Sequence, residues 1–287
     1  MPITDTYVTA RREVCGITLE TDTMEYPLSD RVFPLFEDEN LLLADLLKEL
    51  PPTESIDVGT GSGLLGLVVA SRGGRVVAGD INRRALEFAR RNALRNGLTG
   101  SIELIESDAY LGLRVSDLRR RPRLIVSNPP FVPLPDSFSF HTAGHGGPYG
   151  LRLIRPLIEG ARSVMSPQGL LLFTALSLET KDEVLVASEA RKHFSKVRVE
   201  RIYPESIDLG RFFVPFGASL EAHVGSLQAA GFRSVGYYLF ACAMEPIADL
   251  RLPKDLEGRF AGGWSARADR YAFWRGIDQS ERWPPSS

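Results

Sequence analysis

The chain has 287 residues, 44% of them hydrophobic and 24% charged, with a formal net charge of −2. This composition excludes a disordered or fibrous chain, and the length allows one large domain with additions or two small ones. The near-neutral balance supplies no general field for polyanions. Two cysteines, Cys15 and Cys242, cannot build a multi-disulfide framework, so a reducing compartment is expected. The opening "MPITDTYVTARREVCG" is polar and lacks the apolar centre of a signal peptide, and runs such as "GLLLFTAL" are too short to span a bilayer. A soluble, cytoplasmic protein is the expectation.

Residues 1–50 precede the first predicted strand, and within them "ENLLLADLLKEL" shows the leucine face of a packing helix. From residue 55 short apolar runs alternate with helical stretches, the pattern of βα units around a parallel sheet. "SIDVG" (55–59) predicts a first strand and is followed by a helix from about Gly63. "RVVAGDI" (75–81) predicts a second, followed by the amphipathic "NRRALEFARRNALRNGL"; "SIELIESD" (101–108) and "RLIVSNPP" (123–130) predict a third and a fourth. The helical "GLRLIRPLIEGARSVM" leads through "SPQG" into a fifth strand, 170–176. A helix over 180–193, a sixth strand over 196–204 and a seventh over 235–244 complete the pattern. The stretch at about 205–232 is too long for a hairpin connection and reads as an insertion containing one helix, "ASLEAHVGSLQAAG". The domain boundaries expected are thus 1–50, 51–246 and a C-terminal extension, 247–287, to which the sequence assigns no role.

"DVGTGSGLLG" (57–66) follows a strand and opens a helix, the two contexts a nucleotide-binding turn requires. Gly59, Gly61 and Gly63 permit positive φ and let a ligand approach the backbone, and free N–H groups at the helix start favour an anionic group. "GSGLLG" also fits the dinucleotide pattern, so the glycines alone leave NAD and S-adenosylmethionine (SAM) both open. Asp80 closes the second strand about 20 residues beyond the first glycine, where an acid can accept both ribose hydroxyls; its competing role is a helix N-cap. Asp108, at the end of the third strand, stands where an adenine amino group can be recognised.

"DVGTGSG", Asp80, "ESDAY" and "SNPPF", in this order, resemble a class I SAM-dependent methyltransferase. More narrowly they resemble the branch with an Asn-Pro-Pro-aromatic motif, which modifies planar nitrogens. The resemblance covers roughly residues 25–205 and implies an α/β fold: a Rossmann-like, seven-stranded mixed sheet in the order 3-2-1-4-5-7-6, with helices on both faces. It further implies SAM over the carboxyl ends of the first four strands, held by Asp57, Gly59, Thr60, Gly61, Gly63, Asp80, Ile81, Asp108, Ala109 and Asn128. Within "YPLSDRVFPLFEDENLLLADLL" (26–47) the Val-Phe-Pro stretch resembles the branch's segment covering the cofactor, with Phe33 and Phe36 able to face the sulfonium.

The chemistry of that branch accounts for "IVSNPPFVP" (125–133). A planar nitrogen is a poor nucleophile because its lone pair is delocalised. Two acceptors aimed at its N–H bonds turn the lone pair toward the methyl group and stabilise the charge that develops. The Asn128 side-chain oxygen and the Pro129 carbonyl are the expected acceptors. The prolines lock φ and remove competing donors, and Phe131 offers a flat face for stacking. No strong base is needed, since the methylated nitrogen is acidic after transfer; orientation carries the work.

"HTAGHGGPYGLRLI" (141–154) resembles the Gly-Gly-x-Asp-Gly-Leu stretch of glutamine N5-methyltransferases, but Tyr149 stands where Asp is usual, which weighs against a glutamine substrate. His141, His145 and Tyr149 are candidates for the substrate pocket. No ligand cluster completes a zinc site, so no metal is expected. "DLRRRPR" (117–123) precedes the fourth strand and should lie at the amino edge of the sheet, away from the active face. If the sixth strand runs parallel to the fifth, "PESIDLGRFFVPFG" opens onto that face, with Phe212, Phe213 and Phe216 as a substrate lid. The expected function is SAM-dependent methylation of a planar amide or amine nitrogen on a small molecule or protein side chain. The alternatives are an rRNA or tRNA base N-methyltransferase, release-factor glutamine methylation, and a SAM enzyme that releases methylthioadenosine by displacement within the cofactor. Against the release-factor reading stand an N-terminal segment of about 50 residues, where the family it resembles usually has a larger helical domain, and Phe131 where Tyr usually follows the prolines.

Overall fold

A computed structural model describes residues 9–23, 29–32, 39–112, 120–203 and 205–246. Phe33, Phe36, part of the 117–123 basic run and the 247–287 extension lie outside the described residues. The chain begins with an antiparallel hairpin, β1 (Thr9–Val14) and β2 (Ile17–Asp22), followed by α1 (Glu39–Glu49). The alternating core is β3 (Glu54–Val58), α2 (Leu64–Ser71), β4 (Arg75–Asp80), α3 (Arg83–Arg95), β5 (Ile102–Glu106), β6 (Leu124–Ser127), α4 (Ile154–Val164) and β7 (Leu170–Glu179). It continues with α5 (Leu185–Arg191), β8 (Lys196–Arg201), β9 (Ile207–Asp208), α6 (Leu209–Phe213), two short 3-10 turns, α7 (Glu221–Ala229) and β10 (Ser234–Ala243).

The sheet runs β5-β4-β3-β6-β7-β10-β8, the predicted order, with β10 antiparallel to both neighbours. β9 pairs with the start of β10 and adds an eighth, two-residue strand that the sequence pattern did not signal. β7 extends to Glu179, beyond the predicted end at 176. The predicted helix over 180–193 is correspondingly shorter: residues 180–184 form a turn, closed by Thr180 N–H on the Glu183 carbonyl at 2.9 Å, and α5 starts at Leu185.

Alternate β7 residues feed opposite cores, as the strand period of two requires. Leu172, Leu176 and Leu178 pack with α1, α2 and the insertion, whereas Leu171, Phe173 and Ala175 pack with α4 and α5. All ten β7 residues are buried, which is why the strand reads as an unbroken apolar run. No helix among the described residues is long and apolar enough to cross a membrane.

The hairpin docks on α3 through two asparagines four residues apart, hence on one helix face. Asn96 exchanges hydrogen bonds with the Thr18 backbone at 2.9 and 2.8 Å, and Asn92 does the same with Glu20 at 2.9 and 3.0 Å. These side-chain amides stand in for a neighbouring strand and satisfy the outer edge of β2. Asp22, fully buried, accepts from Arg84 of α3 and from the Val32 N–H at 2.9 Å, and Asn82 donates to the Asp30 carbonyl at 2.7 Å. Segment 29–32 is thereby fastened to the start of α3. Removing one partner of a buried ion pair strands the other charge. Asp22→Ala is therefore expected to destabilise the fold by roughly 3–5 kcal/mol in urea unfolding; an unchanged midpoint contradicts this role.

Candidate active site

β3, β4, β5, β6 and β7 are mutually parallel, so their carboxyl ends open on one edge. A cavity of about 820 Å³ lies there, walled by the loops that follow these strands, by Val32, and by Tyr203, Phe212 and Phe216 beyond β8. Open α/β sheets bind ligands at this edge.

The glycine loop forms its floor. The N–H groups of Gly59 and Thr60 both donate to the Gly79 carbonyl, at 2.8 and 2.9 Å, pinning the turn to β4. Gly61 holds φ +55 and its N–H donates to the Asp80 carboxylate at 2.8 Å, with nothing near an added Cβ. Its requirement is conformational, and its open side faces the cavity. Gly63 answers to packing: a Cβ there would lie 3.1 Å from that of Ala89 on α3, and Gly63 is not part of the cavity wall. Asp57 is likewise behind the wall. Its carboxylate accepts from the Thr60 hydroxyl at 2.7 Å and the Gly66 N–H at 2.9 Å, cross-linking the loop from beneath.

Asp80 accepts from the N–H groups of Gly61 and Asn82, and the N-cap of α3 is Asn82, whose side chain accepts from the Arg84 N–H. The competing cap role for Asp80 thus belongs to its neighbour. Burial raises the Asp80 pKa against the pull of these donors. The Ile81 N–H is a third donor, and since a carboxylate has about four acceptor positions, one remains for a ribose hydroxyl. Ile81 and Leu111 line the cavity although 56% and 88% exposed, apolar surface suited to the faces of a base. Asp108 and Ala109 also line it; Ala109 has φ +48, and the Ser107 hydroxyl donates to its carbonyl at 2.8 Å. Acid, positive-φ glycine and exposed apolar faces together fit a nucleoside cofactor.

The Asn-Pro-Pro-Phe turn leaves β6 opposite this region. The Ser127 hydroxyl donates to the Val58 carbonyl at 2.7 Å, and the Asn128 carboxamide oxygen accepts from the Thr174 hydroxyl at 3.0 Å. Segment 144–150 folds onto the turn: Val132 N–H donates to the Gly144 carbonyl, and Gly146 N–H to that of Val132. This approach demands glycine, because a Cβ at Gly146 would stand 2.6 Å from the Phe131 carbonyl carbon and one at Gly150 2.6 Å from its oxygen. Phe131 meets Tyr237 edge-on, and Tyr237 stacks on Tyr203, both at 5.6 Å.

Asn128, Pro129, Phe131, Asp80, Ile81, Asp108, Ala109, Gly59, Thr60, Gly61 and Phe212 therefore meet at one cavity. Five candidates do not reach it. Besides Asp57 and Gly63 these are His141, buried against the Phe140 ring at 4.0 Å with its pKa pushed down to about 3 by burial, and Phe213, a core residue. Tyr149, 48% exposed, packs instead beside Phe232.

The structure adds residues that sequence reasoning missed. Tyr110 lines the cavity and donates to the Leu157 carbonyl at 3.1 Å; a Cβ on Gly160 would overlap its ring. His145, a pocket candidate from the sequence, lines it too, with Nδ1 accepting from the Gly147 N–H at 3.1 Å and lying 3.2 Å from the Arg152 guanidinium, which also pairs with Asp136. Burial lowers the His145 pKa, keeping it neutral. Phe140 and Tyr203 complete the wall. The roles of Tyr110, Phe140 and Tyr203 arise from loop crossings that have no local pattern. No group of three potential metal ligands occurs among the described residues.

A family model described as methyltransferase small domain matches residues 38–200. A release factor glutamine methyltransferase of Moorella thermoacetica is 30% identical over 207 residues, 68% of this chain and 70% of that protein. One from Deinococcus radiodurans is 32% identical over 197 residues, 64% of this chain and 65% of the relative. A ribosomal protein uL3 glutamine methyltransferase of Xylella fastidiosa is 34% identical over 128 residues, 41% of this chain and 39% of its own length. Among solved structures, a T. thermophilus 16S rRNA N2 methyltransferase in complex with AdoMet and guanosine aligns with TM-score 0.51 at 16% identity, over 85% of this chain and 52% of that one. A SAM-dependent methyltransferase from Agrobacterium tumefaciens gives the same TM-score and identity, over 85% and 73% of the two chains. At that identity the likeness is one of fold.

The buried carboxyl beneath the glycine loop has a measurable signature. Burial pushes the Asp57 pKa up to about 6, outweighing its two hydrogen bonds. The folded state then holds this proton more tightly than the unfolded chain, whose carboxyl titrates near about 4. The contribution is full below about pH 4 and is lost as the pH rises through about 6. Between about pH 4 and about pH 7.5 the wild type should lose up to about 3 kcal/mol of unfolding free energy relative to Asp57→Asn. Parallel stability curves for the two proteins contradict it.

Proposed function

The chain belongs to the methyltransferase small domain family and is a class I SAM-dependent methyltransferase; from that premise we propose that it methylates a planar amide nitrogen, the side-chain amide of a protein glutamine. The observation that carries this reading is the fixed Asn128 carboxamide oxygen on the cavity, held by Thr174 in a turn that two prolines stiffen. Bound over the glycine loop, SAM supplies an electrophilic methyl group. Asp80, Ile81 and Asp108 would hold its nucleoside, with Gly59 and Gly61 giving it room.

The Asn128 carboxamide oxygen would accept one amide N–H while the Pro129 carbonyl accepts the other. Both acceptors gain strength as positive charge develops on the nitrogen, so they favour the transition state over the ground state. Phe131 would lie against the amide plane. His145 is neutral with Nδ1 already engaged, consistent with proton loss that follows transfer without a strong base.

Glutamine is the acceptor named in the relatives' descriptions. The Tyr149 departure, which weighed against it, lies off the cavity wall and so removes nothing from the acceptor's surroundings. An RNA base finds less support. Arg121, from the basic run, sits at the amino edge and donates to the Ser163 carbonyl at 2.8 Å. Free thiols at Cys15 and Cys242 suit a cytoplasmic setting.

Mass spectrometry of the protein incubated with SAM and glutamine-containing peptides tests the proposal. The expected products are S-adenosylhomocysteine and a peptide carrying one methyl group on the glutamine amide. Methylthioadenosine in place of S-adenosylhomocysteine, or methyl transfer to RNA alone, contradicts it.

A further inference from the structure

Beyond Asn128 the cavity wall changes character. Leu176, Tyr203, Phe140, Phe212 and Phe216 line this end. Phe140 comes from the loop after β6 and Phe212 and Phe216 from the insertion, yet the three form one cluster, with Phe216 centred 5.9 Å from both Phe140 and Phe212. Phe138 and Phe213 back them, 6.2 and 6.0 Å from Phe216. These spacings fall in the range of direct ring packing.

The two halves of this box are fastened together. On the insertion side β9 joins the sheet through β10, and Leu209 and Phe212 are buried. On the other side the 131–145 loop is held by the glycine contacts at Phe131, and His223 of α7 lies 3.0 Å from the Pro133 carbonyl across the junction. The rings are thus positioned before any acceptor arrives.

Charge is confined elsewhere. The cavity's acids are Asp80, Asp108 and Glu159, on the cofactor side near Tyr110, and its one cation among the described residues, Arg152, pairs with Asp136. Among the described residues, those that line this end carry no charge, so a charged neighbour of the reacting amide would meet rings, at a desolvation cost. The volume of about 820 Å³ also lies in the upper part of the range for small-ligand sites, about 300–1,000 Å³. It admits a group larger than a bare side-chain amide beside the cofactor.

We propose that the acceptor carries an uncharged apolar or aromatic group next to its amide, and that Phe140, Phe212 and Phe216 receive that group. This rests on the amide-methylation reading and narrows its substrate class. The group belongs either to a residue flanking the glutamine or to the body of a free carboxamide, and the test separates these sources.

Initial rates with SAM are measured for N-acetylated peptide amides Gly-Gln-Gly, Phe-Gln-Gly, Gly-Gln-Phe and Asp-Gln-Asp, and for the free pair benzamide and acetamide. An aromatic member of the peptide or free set should exceed its small counterpart in kcat/KM by about tenfold or more, the range for a buried apolar group. The arm that shows the preference names the source. Phe216→Leu and Phe140→Leu keep an apolar side chain and should each reduce the preference several-fold while SAM affinity stays near wild type. Methylation of all amides at equal rates, or an unchanged preference in both variants, overturns the box and leaves amide methylation standing. No methylation of any amide by a protein that binds SAM overturns the amide reading and this inference together.

Discussion

The active face depends on one register relation between β6 and β7. Ser127 pairs with Phe173, so the next residues along, Asn128 and Thr174, emerge side by side and join through the 3.0 Å hydrogen bond. A one-residue slip would send Thr174 to the opposite face and leave the carboxamide without this donor. The relation is strongly specified, because β7 is buried along its whole length and its two faces feed different cores. The orientation of the Asn128 carboxamide is thus a by-product of core packing.

Around that point the fold supplies stiffness from several directions. The Ser127 hydroxyl ties the turn to β3, the prolines restrict its backbone, and the Gly146 and Gly150 contacts hold a second loop against it. Across the cavity the Asp57 carboxylate braces the glycine loop, and Asp80 links that loop to the start of α3. The hairpin adds a third support, with the Asn92 and Asn96 amides and the Asp22–Arg84 pair fixing the segment that brings Val32 to the wall. Ser127, Asp57, Asn92 and Asp22 are buried polar groups that are expensive to leave unpaired, so they permit few alternative arrangements.

The sheet was legible because its order follows from apolar runs and helix lengths that a local pattern records. That Gly61, Asp80 and Asn128 lie on the cavity was legible because all three stand at or just beyond the carboxyl ends of parallel strands. The β1–β2 hairpin was not, since its turn places Cys15, with no turn preference, at φ +56. β9 is too short to show a period, and α5 starts late because 180–184 close a turn on the end of β7. Tyr149 and His141 looked like pocket residues from their place beside the glycines. The loop's folding onto Phe131 instead carries Tyr149 outward to Phe232 and packs His141 against Phe140. Asp57 and Gly63 belonged to the right loop, but the sequence could not tell a residue that faces the ligand from one that braces the turn.

The central claim is that the Asn128 carboxamide orients the acceptor nitrogen and does not merely complete the cofactor site. Steady-state turnover and SAM affinity measured together on Asn128→Ala test it most directly. Removing one such acceptor should lower kcat by about 10²–10³ while SAM binding stays close to wild type. Near-normal turnover, or a loss of SAM affinity as large as the loss of turnover, would contradict it.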